Sequence, residues 1–339
     1  MDRELSAEEL VPLLGDADDK VRRRAVRAFR DAGDAAVPVL LRVRRAPATG
    51  PRVRATALEA LAGAVGPAAL DESDREALRR LTRIRRIDEA PEPMHVCGSW
   101  FAVPTADRGA VLDAFDLAGA EPVTLRTGAG AWTHDLHDWG RQGDHLKCAR
   151  VFVSPVLDGW TLVFGKRSED AHALRDAPEG DHETVRRRVV EERCAELGRR
   201  FGRAQWYGMS CGDGWTAWCV AEGAEVVRYY DAFGVDAAGD PGPRHPAEAG
   251  FRLPHEPSGL PLGAFDGLDL SDAHAALARV RRIMAEHGIS EQCAATDIAE
   301  RLSVSPAALG PHTRIEGQGV LALTACGREH GHPPGALPF

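Results

Sequence analysis

Apolar positions in the first ninety residues recur at the three- and four-residue intervals of a helix face. Val21, Ala25, Ala28 and Phe29 lie along one side of a segment that opens with Asp18-Asp19-Lys20-Val21-Arg22. Thirty-two residues later Arg52-Val53-Arg54 opens a second segment, with Val53, Ala57, Leu58 and Leu61 in the same arrangement. A shorter apolar run precedes each: Leu10, Leu13 and Leu14 before the first, Val37, Leu40 and Leu41 before the second. Leu78, Leu81 and Ile84 predict a closing helix. Repetition at this period predicts stacked helical hairpins, none of which buries its apolar face alone.

The pattern stops at Asp88-Glu89-Ala90-Pro91-Glu92-Pro93, where two prolines end helix and the charges resist burial. Beyond it the period becomes two. Ser99–Val103, a run around Pro122–Leu125, Arg150–Ser154 and Trp160–Phe164 read as strands, with a tight Asp158-Gly159 turn joining the last two. Val111, Leu112 and Phe115 predict one helix, and Val190, Cys194, Leu197 and Phe201 another. Gln205–Met209, Trp215–Val220 and Glu225–Tyr230, separated by Asp213-Gly214 and Glu222-Gly223, predict an antiparallel meander. Residues 234–270, rich in Gly, Pro and Asp, predict an irregular excursion. Two helices, over Ala276–Met284 and Ala295–Leu302, and a strand at Gly319–Leu323 follow. The expected fold class is α+β: a short helical repeat over 1–88, a linker over 89–94, and an α+β domain over 95–339 built mainly on antiparallel sheet.

Leu13-Leu14-Gly15-Asp16-Ala17-Asp18-Asp19-Lys20-Val21-Arg22, with Ala25 and Ala28 beyond it, resembles a HEAT-type (HEAT/armadillo-like) repeat over residues 5–88. The resemblance implies a ladder of Asp and Arg side chains across successive turns, with Asp16 or Asp18, Arg22 and the corresponding Arg54 as its members. It also implies a surface for binding another protein, so Arg22 and Arg54 are candidate binding residues. The second repeat replaces the acidic turn with Pro47-Ala48-Thr49-Gly50-Pro51. With fewer than three full repeats, the array is expected to lean on the chain that follows it.

Composition narrows the function classes. The net charge is −9 and uneven: residues 1–90 hold 18 Lys and Arg against 16 Asp and Glu, and the rest holds 24 against 35. Such a balance opposes phosphate backbones, so nucleic acid is an unlikely partner. No apolar run approaches the length that spans a bilayer, and the opening Met1-Asp2-Arg3-Glu4-Leu5 is not a secretory signal, so a cytoplasmic protein is expected. Seven scattered cysteines without a C-x-x-C pair argue for reduced thiols, not for a disulfide framework or a zinc knuckle.

The densest polar run is His134-Asp135-Leu136-His137-Asp138-Trp139, with His145 soon after, read as a glycine-bounded loop. Imidazoles and carboxylates are ligands for zinc, iron or manganese, which makes His134, His137, Asp138 and His145 a candidate metal set. A solvated loop is the simpler reading. Trp206, Tyr207, Trp218 and Tyr230 on the meander are candidate binding residues, although aromatic side chains more often form core. Cys211 is a candidate nucleophile, and the Cys326–His332 run is read as a tail. Residues 296–305 resemble the start of a helix-turn-helix, but Gly310-Pro311 stops any recognition helix after a half turn. No Walker loop, dinucleotide fingerprint, nucleophile elbow or His-Glu-x-x-His is present. The sequence therefore favours a non-enzymatic interaction module, an adaptor, regulator or immunity-type partner, with no cofactor. A metal-assisted enzyme or accessory biosynthetic factor using a divalent metal at residues 134–145 is the alternative, and a DNA-binding regulator a lesser one.

Overall fold

Local chemistry starts and stops the N-terminal helices in a computed structural model that describes residues 6–65, 70–87, 89–137, 148–234, 242–257, 259–261, 263–269 and 271–330. In chain order the helices are α1 (Ala7–Leu10), α2 (Asp19–Ala32), α3 (Val37–Arg45), α4 (Pro51–Val65), α5 (Glu72–Ile87), α6 (Arg108–Ala114), α7 (Leu125–His137), α8 (Ser168–Arg175), α9 (His182–Phe201), α10 (Ala273–Glu286), α11 (Ala295–Leu302) and α12 (Ala325–His330). The strands are β1 (Gly98–Val103), β2 (Ala118–Val123), β3 (Arg150–Leu157), β4 (Trp160–Phe164), β5 (Arg203–Met209), β6 (Thr216–Glu222), β7 (Glu225–Asp231), β8 (Ile315–Glu316) and β9 (Gly319–Leu323). About 49% helix and 19% antiparallel strand make this an α+β fold, as expected.

Asp18 starts α2 by accepting the Lys20 amide at 2.8 Å, and Gly33 at φ 56° ends it where a side chain would be strained. Helices α2 and α3 both pack on α4, and Phe29, Leu40 and Leu58 are sealed between them. Each such side chain contributes about 1.5–3 kcal/mol by leaving water. The 32-residue repeat shows in one contact. Arg22 donates to the carbonyl of Ala17 at 2.9 Å and Arg54 to that of Thr49 at 2.7 Å, each five residues back in its own loop. The ladder implied for Asp16, Asp18, Arg22 and Arg54 does not form, since both arginines bond carbonyls of their own loops and Arg22 pairs with Asp19 on its own helix. Asp16 likewise accepts the Asp18 amide locally.

By its contacts the chain forms two units, each described by itself. The first comprises Met1–His95, Thr105–His172 and Leu309–Phe339. Its strands run in the order β2-β9-β3-β4, all antiparallel, with β8 also on β3. Asp158 and Gly159, at φ 48° and 86°, make the expected tight turn between β3 and β4. The second unit comprises Val96–Pro104 and Ala173–Ala308. Its strands run β1-β5-β6-β7, with α9 on one side and α11 also packed on β5 and β6. In this unit Arg228 and Glu248 are buried as an ion pair at 2.7 Å, and the same carboxylate accepts the Trp218 indole N–H.

Three expectations need correction. The run from Cys326, read as a tail, is helix α12 as far as His330, with Cys326 buried. The strand read around Pro122–Leu125 ends at Val123, and the segment holding His134 and His137 is helix α7, not a loop. Glycine does not break this helix because Gly128 faces the sheet. A Cβ there would lie 2.0 Å from Cε2 of Phe152, so glycine lets α7 approach β3 closely. The helix start is also satisfied from afar: the Glu89 carboxylate accepts the amides of Leu125 and Arg126 at 2.8 and 3.0 Å.

Candidate functional site

Helix α2 has two faces. Ala25 and Phe29 point into the core, while Asp19, Arg22, Arg23, Val26, Arg27 and Arg30 line a cleft of about 1070 Å³. One face of α7, including Arg126, Thr133, His134 and His137, lines the same cleft, as do Thr56 and Glu59 of α4 and the extended segment from Glu89 to His95. All these residues belong to the first unit.

Its electrostatics are balanced. Five arginines (22, 23, 27, 30 and 126) line it against five acids, Asp19, Asp31, Glu59, Glu89 and Glu92, together with three histidines. Arg126 reaches Glu92 at 2.6 Å and Asp19 at 3.8 Å, tying the linker segment to α2. Arg23 pairs with Asp19 at 2.7 Å across one turn, a half-exposed pair worth under about 1 kcal/mol. Arg27 has no ion pair among the described residues and is exposed. It is the arginine most free to take a partner's carboxylate.

The wall formed by α7 is fixed from behind. Asp135, 7% exposed, takes two bonds from Arg150, 6% exposed, at 2.6 and 2.9 Å. A two-point bond of this kind sets the rotation of the helix as well as its distance from β3. Trp132 packs on Phe164 at 4.8 Å between ring centres. With one side of α7 so held, His134 and His137 sit in the cleft. His137 Nδ1 lies 2.8 Å from the Thr133 carbonyl, and its ring is 5.5 Å from that of His95.

The sequence-predicted site residues fall into three groups. Arg22, His134 and His137 meet in the cleft, while Arg54 is occupied by its own loop. Asp138 and His145 lie outside the described residues, and among the described residues no cluster of three ligating side chains includes His134. Trp206, Tyr207, Trp218 and Tyr230 are 4, 0, 0 and 1% exposed, so their burial supports a core role and none lines the cleft. The neighbours Trp206 and Tyr207 point to opposite faces of β5, and both faces are covered. Tyr230 is stacked on Trp218 at 4.3 Å, and burial pushes its phenol up to about 12. Cys211 is exposed, and hydrogen bonding with Cys97 raises its thiol pKa, the opposite of nucleophile activation.

Sequence reasoning missed Arg27, Arg126 and Glu89. A hint of Arg27 is present: positions 19, 22, 23, 27 and 30, with Val26 among them, form a mainly polar helical stripe flanking that of Ala25 and Phe29. No local pattern joins Glu89 to Leu125. Among the described residues no helix is long and apolar enough to cross a membrane. Compared with protein-family models, curated proteins and solved structures, the chain matches none.

Proposed function

We propose that the protein is a non-enzymatic cytoplasmic interaction module, an adaptor, regulator or immunity-type partner, whose cleft between α2 and α7 receives a polypeptide segment carrying both charge signs. One observation carries this reading: five arginines and five acids line one cleft of about 1070 Å³, with Arg27 exposed and unpaired among the described residues. Balanced charge suits a polypeptide, whose side chains offer both signs, better than a nucleic acid, which needs a surplus of cations. A small apolar ligand fits less well, because such sites are lined mainly by apolar side chains.

The test is a charge reversal on the full-length chain, Arg23→Glu with Arg27→Glu. Both side chains are exposed, so folding is expected to change by no more than about 0.5 kcal/mol. Polypeptides captured by the wild-type chain are expected to bind the folded double variant at least tenfold more weakly. Undiminished capture of the same polypeptides sinks the proposal. The metal-assisted alternative at His134, His137, Asp138 and His145 instead requires a divalent ion that is lost when both histidines become alanine.

A further inference from the structure

Outside the lining of the cleft, three residues that no local spacing connects come together in the first unit. Cys148 stands just ahead of β3, Cys326 lies in the first turn of α12 just after β9, and His172 is on α8. Strands β3 and β9 are partners, with Arg150 opposite Leu323, so the two cysteines flank the end of one strand pair. Their sulfurs are 3.0 Å apart, and Cys148 Sγ is 3.9 Å from His172 Nε2. All three donor atoms lie within 4.8 Å of one another. The two sulfurs touch, close enough for one thiol to donate to the other, so both are turned toward the same point.

We propose that Cys148, Cys326 and His172 bind a zinc ion. Zinc takes thiolate sulfur at ~2.3 Å and imidazole nitrogen at ~2.0–2.1 Å in a tetrahedron, which sets S···S near 3.8 Å and S···N near 3.5 Å. The 3.0 Å S···S and 3.9 Å S···N separations differ from those values by about 0.8 and 0.4 Å. Both cysteines are buried, 3 and 2% exposed, while His172 is half-buried and leaves the ion a way in. Three protein donors leave a fourth position for water or a further ligand. Binding converts the two thiols to thiolates, and their two protons pass to solvent.

The surroundings hold the donors in place without using them. Thr324 donates its hydroxyl to the carbonyl of Cys148, and its amide donates to that of Ala149 at 3.0 Å. The Cys326 amide donates to Ser168 Oγ at 2.8 Å. Ser168 and His172 are one turn apart on α8, so the bond that fixes Cys326 also sets His172 beside it. At Gly327 a Cβ would lie 2.0 Å from the Ala149 carbonyl oxygen, so glycine is what lets α12 start so close to Cys148. Bonds and contacts between three separate segments thus converge on one point, the preorganisation a metal site requires.

The test uses the reduced full-length chain, stripped with a chelator and titrated with zinc, with cobalt(II) as the spectroscopic substitute. One ion per chain is expected, with tetrahedral cobalt bands and a sulfur-to-cobalt charge-transfer band. Cys148→Ser and Cys326→Ser should each abolish the charge-transfer contribution of that sulfur and lower affinity at least a hundredfold. His172→Gln, at a half-exposed position that leaves the fold intact, should lower it at least tenfold. The other five cysteines are present in every variant, so binding unchanged in the three variants overturns the proposal. A reduced chain that takes up no metal also overturns it, as does a Cys148–Cys326 disulfide with no metal bound after its reduction.

Discussion

Arg150→Met tests what holds the cleft's α7 wall. Methionine keeps the length and much of the aliphatic stem of arginine but removes both bonds to Asp135, leaving that carboxylate buried beside His134, whose Nδ1 lies 3.5 Å away. Two charge-assisted bonds at 2.6 and 2.9 Å, with both partners under a tenth exposed, belong to the class whose one-sided removal costs about 3–5 kcal/mol. Replacing both partners, Arg150→Met with Asp135→Leu, removes the stranded charge and should recover most of that loss. Because the two units need not unfold together, a single global midpoint is the wrong readout. Hydrogen exchange of the α7 amides reads the local opening free energy, and protection there should fall by roughly two to three and a half orders of magnitude, since about 1.4 kcal/mol is a tenfold change. The double variant should return to within tenfold of wild type. A loss under about 1 kcal/mol in the single variant, or no recovery in the double, refutes the claim that this pair sets the helix.

Two further outcomes follow from contacts described above. Gly128→Ala gains about 1 kcal/mol of helix propensity but drives a methyl group onto the Phe152 ring, and the collision should win, with a net loss of about 1–3 kcal/mol by denaturant titration. A stabilised variant would show that α7 has room to move off β3. Cys211 should alkylate more slowly at pH 7 than an ordinary exposed thiol, because hydrogen bonding with Cys97 favours its protonated form. As the thiolate is the reactive species, the rate rises with pH and Cys97→Ala should shift that rise to lower pH; an unchanged pH–rate profile refutes the coupling.

Much of the fold was legible in periodicity, and its failures have identifiable causes. The β3–β4 turn was readable because Asp158-Gly159 must hold positive φ at two residues, and few other pairs do so cheaply. Helix α7 was misread because its glycines look like loop formers. The reason for Gly128 is a tertiary contact with Phe152, 24 residues away, which no window along the chain contains. The aromatic meander gave the strands but not their environment, since burial on both faces depends on α9 and α11, which arrive from elsewhere. Nothing in the local sequence marks Arg228 and Glu248, which are buried as a pair. In the cleft the stripe on α2 was visible as a helix face, but its facing wall depends on Glu89 capping a helix 36 residues onward. The cysteine and histidine cluster was the least legible of all. Its three members come from just ahead of one strand, the middle of one helix and the first turn of another.

A photo-activated cross-linker placed on α2 asks the central question most directly. Arg27 lines the cleft, whereas Arg24, exposed on the same helix, does not. A benzophenone side chain at position 27 in the full-length chain, irradiated in the cells that make the protein, should join to a discrete polypeptide, and the same group at position 24 should not. Equal labelling from both positions, or none from position 27, would contradict the assignment of this cleft as the binding surface.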